Sequence, residues 1–548
     1  MIRFSTKQLP PVLTTLLATL LLAVFPIACD FTYSHITRSK WIIALCLGAV
    51  CFAGGLSLLV MQVLPHQKSA DMAASSACKS WYQRLWVWFR NPAVWLTLCL
   101  FLWMGLSCLF GADRDLQLLY GPDLDLAASD VGAEWHFVTW LGDGRYEGYS
   151  TQLCYLVICL AFTFCVPRGK PLVTAVALGL TAFLAIVALQ YTGANPLGLF
   201  PKGRSIYTNY EFQGTIGNID MITAYLAIVV PLLIGFWVLH GGVLGGITLA
   251  AGVLGVLYQI MTDVQAGLLA IAGGAVLLVY ATLIDWRRTK VTAPKGLRWR
   301  SIAALSGIIL CFFLRRVFYL PWLDGDPTAE RATLVLPGGL LPWAALLAAG
   351  ILAALSVWLI GCDSGGLHWK AVLALLLVLL VLALALTAFL PINERFGGLW
   401  ELHEILNGRA QDSFGSWRWG IWRCTLDMSR ENLLFGGGQD CFEDMMDTYL
   451  FEHDVTLGEH YDNPHNLFLT ILANNGLPGM LLYIALLAYV ITACLRRGGF
   501  GWAVAASLIC YVIQGMFTFS ICITSPMAWC VIGMAGAYSF KQSKKVQC

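Results

Sequence analysis

Long apolar stretches separated by short polar ones dominate the chain. Stretches of about 20 apolar residues, the length that crosses roughly 30 Å of hydrocarbon, run at 11–29, 41–64, 92–110, 150–166, 171–191, 219–239, 243–261 and 266–285. They resume at 301–320, 338–361, 370–390, 477–495, 501–521 and 526–540. This pattern predicts an all-α fold, a polytopic membrane helix bundle of about 14 transmembrane helices. The pair Arg315 and Arg316 interrupts one stretch, so that span is expected to reach only Leu314 and then to follow the interface. The segment 391–476 breaks the pattern, being too polar to cross lipid and too long for a plain connection. It is expected to form a small helical cap between the eleventh and twelfth spans. The chain then divides into 1–390 with helices 1–11, the loop 391–476, and 477–548 with helices 12–14 and a tail.

Composition agrees with this class. Hydrophobic residues make up 58% of the 548 residues and charged residues 12%, with a mean hydropathy of +0.71; soluble proteins carry about 25% charged residues. The formal net charge of +2 hides an asymmetry that matters more. Arg3, Lys7, Lys68, Lys79, Arg84, Arg90, Arg168 and Lys170 fall on one side of the helix count, as do the 287–300 cluster, Arg496, Arg497 and Lys541 to Lys545. Positive charge marks the cytoplasmic side, so both termini are expected there and the loops 111–149, 192–218 and 391–476 outside. No basic patch interleaved with aromatics points to nucleic acid. The first apolar stretch lacks a small-residue cleavage site before Cys29 and reads as a retained signal anchor. Most of the 18 cysteines lie inside apolar spans and act as small hydrophobes; Cys424 and Cys441 share the outer loop, where a disulfide is open to them. No Cys/His spacing reads as a zinc site.

Candidate chemistry collects at the outer helix mouths. Tyr461-Asp462-Asn463-Pro464-His465-Asn466 leads, through Asn475-Gly476-Leu477-Pro478-Gly479, into an apolar helix, and puts a proton-transferring side chain at a membrane surface. Within the cap, Trp417, Ile421, Cys424 and Met428 recur at helical spacing, with Arg418, Trp422, Thr425 and Ser429 on another face. Gly436-Gly437-Gly438 then permits a tight turn. Arg418 reads either as a solvated arginine of an interfacial helix or as an anion clamp, since a planar guanidinium donates two parallel bonds to phosphate. Arg145, in Gly142-Asp143-Gly144-Arg145-Tyr146-Glu147-Gly148, either snorkels and pairs with Glu147 or does the same work. Gly214-Thr215-Ile216-Gly217-Asn218 taken alone is a helix-start turn with polar caps. Asp123-Leu124-Asp125 has the spacing of a metal-binding pair, but on the outer side, and Glu443, Asp444 and Asp447 read as a solvated helix face.

In order and placement, these elements resemble the O-antigen ligase and polymerase-like membrane glycosyltransferases over roughly residues 140–490. The resemblance implies transfer of a glycan from a polyprenyl-pyrophosphate carrier to an acceptor hydroxyl on a glycan, lipid or cell-wall polymer, at the outer face of a bacterial cytoplasmic membrane. It implies no metal and no cofactor. His465 would act as base or orienting group, with Arg418, Arg145, Asn463, Asn466, Trp422, Arg423 and Asn218 as substrate contacts. Two departures stand out: Met261 to Gly267 lacks the arginine many members carry at a mid-chain helix start, for which Arg204, Arg315, Arg316 or Arg423 are possible substitutes, and Asn463-Pro464 stands where many ligases have a second His or a Ser. A lipid-linked oligosaccharide flippase is the rival reading, but transporters bury charge near the bilayer midplane, and these spans are nearly free of it. A non-catalytic protein that has kept the fold is a third.

Overall fold

The structure, a computed structural model, describes residues 9–30, 35–63, 88–112, 145–191, 194–199, 213–262, 398–458, 461–519 and 521–539, with isolated positions at 33, 86, 140 and 142, between 264 and 307 and between 387 and 394. Among the described residues the regular structure is helical. α1 (Leu9–Thr19) runs on into a π-helical turn, Leu20–Val24. There follow α2 (Ile36–Val63), α3 (Pro92–Phe110), α4 (Tyr149–Thr163), α5 (Gly169–Tyr191), α6 (Ile219–His240) and α7 (Gly242–Thr262). After the next long described stretch begins come α8 (Gly398–Leu406), α9 (Arg418–Glu431), α10 (Phe442–Glu452), α11 (Leu467–Arg497), α12 (Phe500–Gly515) and α13 (Ser525–Tyr538). Six helices, α2, α3, α5, α6, α7 and α11, are long and apolar enough to cross a membrane, and α4 and α12 are shorter apolar helices. This is a multi-pass membrane protein. The expected span at 338–361, most of 266–285, 301–320 and 370–390, and Asp123, Asp125, Arg204, Arg315 and Arg316 lie outside the described residues.

Local chemistry explains the helix starts. The Asn91 side chain accepts from the Ala93 amide at 3.0 Å ahead of Pro92, and Asn218 accepts from Asp220 and Met221 at 2.8 and 3.2 Å; both are helix N-caps followed by long apolar runs. α6 is the central helix, buried along nearly its whole length and packed between α7 and α12. It tolerates Pro231 because backbone groups in a membrane helix find partners on its neighbours; Ser507 donates to the nearby Ile228 carbonyl. Lys40, fully buried in α2, donates to the carbonyls of Phe25 and Pro26 at 2.8 and 3.0 Å, where the first helix ends and its dipole is negative.

Two differences from the pattern expectation shape the site. α11 begins at Leu467, ten residues before the expected span, because Leu467 to Asn475 form a separate half-helix ahead of a break at Gly476 (φ 65°, ψ −177°). α12 ends at Gly515, short of the expected 521, and the chain that follows carries Phe517 and Phe519 back across the bundle end. Residues 398–458 fold as α8 to α10 with their own small core of Ile421, Cys424, Met428, Phe442, Met445 and Met446, to which Ala473 of the half-helix contributes. Thr425 and Ser429, expected on the second face of α9, are also buried, since α9 lies between α10 and α11. Glu443 and Asp444 are exposed on α10, as its first-turn acids should be.

Candidate functional site

The break in α11 anchors the site. A break frees backbone groups that the bilayer cannot hydrate, so they need protein partners. The Gly437 and Gly438 amides donate to the carbonyls of Ala473 and Asn474 at 2.8 and 3.0 Å, and the Leu477 amide donates to Leu433 at 2.7 Å. Trp103 Nε1 donates to the Asn475 carbonyl at 2.9 Å, and the Gln439 amide donates to the Asn475 side chain. The glycines are needed for this approach. A Cβ at Gly436 would run into the Ala473 carbonyl, one at Gly476 into the carbonyls of Leu433 and Leu434, and both residues have positive φ, 67° and 65°.

The turn 461–466 sits on the N-terminus of the half-helix. Asn466 is its N-cap, accepting from Phe468 and Leu469 at 3.0 and 3.2 Å and donating to the Met516 carbonyl at 3.1 Å. Asn463, buried, accepts the His465 amide at 2.9 Å and donates to Asp462 at 2.6 Å. This holds His465 in the left-handed region, φ 47°, a conformation unusual for a non-glycine residue and one that clusters at functional sites. The imidazole lies edge-on to Phe519, 5.3 Å between centroids, and its Nδ1 is buried without a hydrogen-bond partner. Burial first, then the charges of Arg418 and Arg145, push the His465 pKa down to about 4, against an upward pull from Asp462. A pKa pushed that far down favours the uncharged ring at neutral pH.

One side of this turn is acidic. Arg145 is clasped by Asp462 through Nε at 2.6 Å and through Nη2, and its guanidinium lies 4.0 Å over the Phe519 ring. The pairing with Glu147 open to it from sequence is not the one made. Glu147 instead accepts from Tyr155 at 2.7 Å and from Gln152 at 2.9 Å, while its amide donates to Asp440 at 3.1 Å. Burial, with Asp440 adding to it, raises the Glu147 carboxyl well above the usual range, although the Tyr155 bond opposes the shift. Arg145, Glu147, Asp440, Asp462, Asn463 and Asn474 all line a cavity of about 80 Å³ that runs into the bundle between α4 and the half-helix.

The other side is basic. The loop before α9 passes through Gly415, Ser416 and Trp417, all at positive φ (63°, 57° and 67°), and this delivers Arg418 to the first helical position. Arg418 donates to the Phe517 carbonyl at 3.2 Å and to Gly415 at 2.9 Å, and no carboxylate pairs with it among the described residues. Trp422, one turn on, donates to the Pro464 carbonyl at 2.8 Å, which ties α9 to the His465 turn. Arg423 points elsewhere and makes an exposed two-pronged pair with Asp412 at 2.7 and 3.2 Å.

His465, Arg418, Arg145, Asn463 and Trp422 are thus brought together around Phe517 and Phe519. Asn466 is at the same place with its side chain spent on capping, Asn218 caps α6, and Arg423 braces the Asp412 loop. Cys424 and Cys441 are buried thiols that are not joined in a disulfide. Among the described residues no group of His, Cys, Asp and Glu is placed to hold a metal ion. Sequence reasoning missed Asp462 as the partner of Arg145, and missed Glu147, Asp440 and Asn474 as cavity walls; only Glu147 carried a signal, sitting two residues from Arg145 in a glycine-flanked turn.

The class is therefore a multi-pass helical membrane protein with a polar site built at a broken helix. Residues 332–484 match the family model described as O-Antigen ligase. The matched stretch takes in α8, α9, α10, the His465 turn and the break in α11, while Arg145 and Asn218 lie before it. A search of curated proteins finds no match.

Proposed function

We propose that this protein transfers a glycan from a polyprenyl-pyrophosphate carrier to an acceptor hydroxyl, at the outer face of the cytoplasmic membrane, as a ligase or polymerase of cell-surface polysaccharide. The observation that carries the reading is His465 in its strained turn, with a buried Nδ1 that has no hydrogen-bond partner and with Arg418 and Arg145 beside it, within the stretch that matches the ligase family model. As the acceptor oxygen attacks the anomeric carbon, the bond from that carbon to the carrier's phosphate oxygen breaks, and the hydroxyl proton passes to the imidazole. The departing pyrophosphate gathers negative charge beside Arg418, whose partners are neutral carbonyls and whose charge is not cancelled by a carboxylate. Arg145, held by Asp462, keeps the imidazole uncharged and fixes the turn. The segment 391–476 is the catalytic loop in this reading, and the carrier's tail stays in the bilayer beside the helix mouth.

The test is transfer by purified protein from carrier-linked glycan to candidate acceptors, for wild type, His465→Ala and Arg418→Ala. Loss of about 10²-fold or more in both variants is expected. Equal transfer by all three would overturn the site, and passage of carrier-linked glycan across vesicles without bond formation would overturn the reaction.

A further inference from the structure

The cavity beside the turn is rich in carboxyl groups. Glu147, Asp440 and Asp462 line it with Asn474, alongside Gln152, Gln439, Asn463 and Thr470, whose donors are already used on Glu147, Asn475, Asp462 and Asn466, and alongside Asn475 and Ser525. Asn474 is only 6% exposed, and its Oδ1 has no hydrogen-bond partner. A buried acceptor left empty is destabilising and calls for a donor brought by something else. The guanidinium of Arg145 does not fill that role, since Asp462 holds it. Phosphate does not suit this recess either, because a further anion would meet the carboxyl groups of Asp440 and Asp462 in a setting of weak screening. Phe519, Tyr483 and Trp529 add aromatic surface to the lining. At about 80 Å³ the space exceeds the roughly 10–15 Å³ that one water needs, and it suits a single ring better than a chain.

We propose that this cavity is a single-sugar subsite, taking one uncharged or amine-bearing sugar whose hydroxyls donate to Glu147, Asp440 and Asn474 while its ring packs on the aromatic surface. This rests on the glycan-transfer reading and adds a division of labour to it: sugar in the acidic recess, pyrophosphate outside it at Arg418. The sugar belongs either to the donor or to the acceptor, and both present the same hydroxyl edge.

The experiment is saturation-transfer NMR on the full chain in detergent, with methyl hexosides, methyl 2-amino-2-deoxyhexosides and inorganic pyrophosphate as probes. At least one glycoside is expected to bind, about tenfold more weakly in Asn474→Leu and in Asp440→Asn, and unchanged in Arg418→Ala. Pyrophosphate is expected to show the reverse pattern. Asp440→Asn keeps shape and suits the positive φ of 61° at that position, so the test survives if the leucine variant misfolds. A carrier bearing one sugar that displaces the glycoside, where bare carrier does not, assigns the subsite to the donor; displacement by neither assigns it to the acceptor. No glycoside binding, or binding equal in both variants, overturns the subsite. If transfer still depends on His465 in that case, the glycan-transfer reading stands without it; glycoside binding with no transfer would leave the subsite and remove the reaction.

Discussion

The two sides of the His465 turn are built on opposite electrostatic plans. Toward the cavity, Glu147, Asp440 and Asp462 surround one guanidinium, and that guanidinium is already spoken for. Toward α9, Arg418 donates to the carbonyls of Phe517 and Gly415, and among the described residues no carboxylate pairs with it. The difference teaches that two arginines beside the same histidine turn need not do the same work. One is a structural clasp whose charge acts on its neighbour; the other holds uncancelled charge where an anion can reach it.

The contrast is most open to attack at the arginines themselves. Arg418→Ala is expected to cut transfer by about 10²–10³-fold with little change in melting temperature; a large loss of stability with transfer intact would invert the assignment. Arg145→Ala is expected to cost about 1–2 kcal/mol of stability, measured by thermal unfolding in detergent, because a partly exposed ion pair and a ring contact are lost together.

A subtler effect concerns pH. His465 serves as base while uncharged, so activity is expected to hold as pH falls through the ordinary histidine range and to fail near its pKa of about 4. Both arginines lower that pKa, so removing either should move the acid limb of the pH–rate profile upward, and Asp462→Asn should move it downward. Limbs that do not move would separate His465 from the proton transfer. The smallest effect is expected at Arg423→Ala, where an exposed pair with Asp412 is lost: about 0.2–1 kcal/mol of stability and transfer close to wild type.

Much of the scaffold was readable from the apolar pattern. α2 to α7, α12 and α13 lie where stretches of sufficient length predicted them, and the span expected at 477–495 falls within α11, behind the polar run Asn474, Asn475 and Gly476. The same polar interruption hid the half-helix Leu467 to Asn475, whose length is below what a membrane span needs. At the site, His465, Arg418 and Trp422 were readable because they are close in sequence to turn and helix signals. The Arg145–Asp462 clasp joins positions 317 apart in the chain, and no local propensity encodes such a pair. Asn466 and Asn218 show the reverse case: each was a polar residue at a helix mouth, and the backbone's own demand for a cap claimed its oxygen.

The interrupted helix has a mechanical consequence. Its freed carbonyls are plugged by the Gly437 and Gly438 amides, and its freed amide at Leu477 plugs into Leu433, so the soluble-looking layer and the lipid-embedded rod are geared through one set of teeth. Local melting of residues 433–438 would leave the backbone groups at the break without these partners, which is costly wherever water is excluded. Hydrogen exchange at the Gly437 and Gly438 amides therefore serves as a gauge of opening at the broken helix.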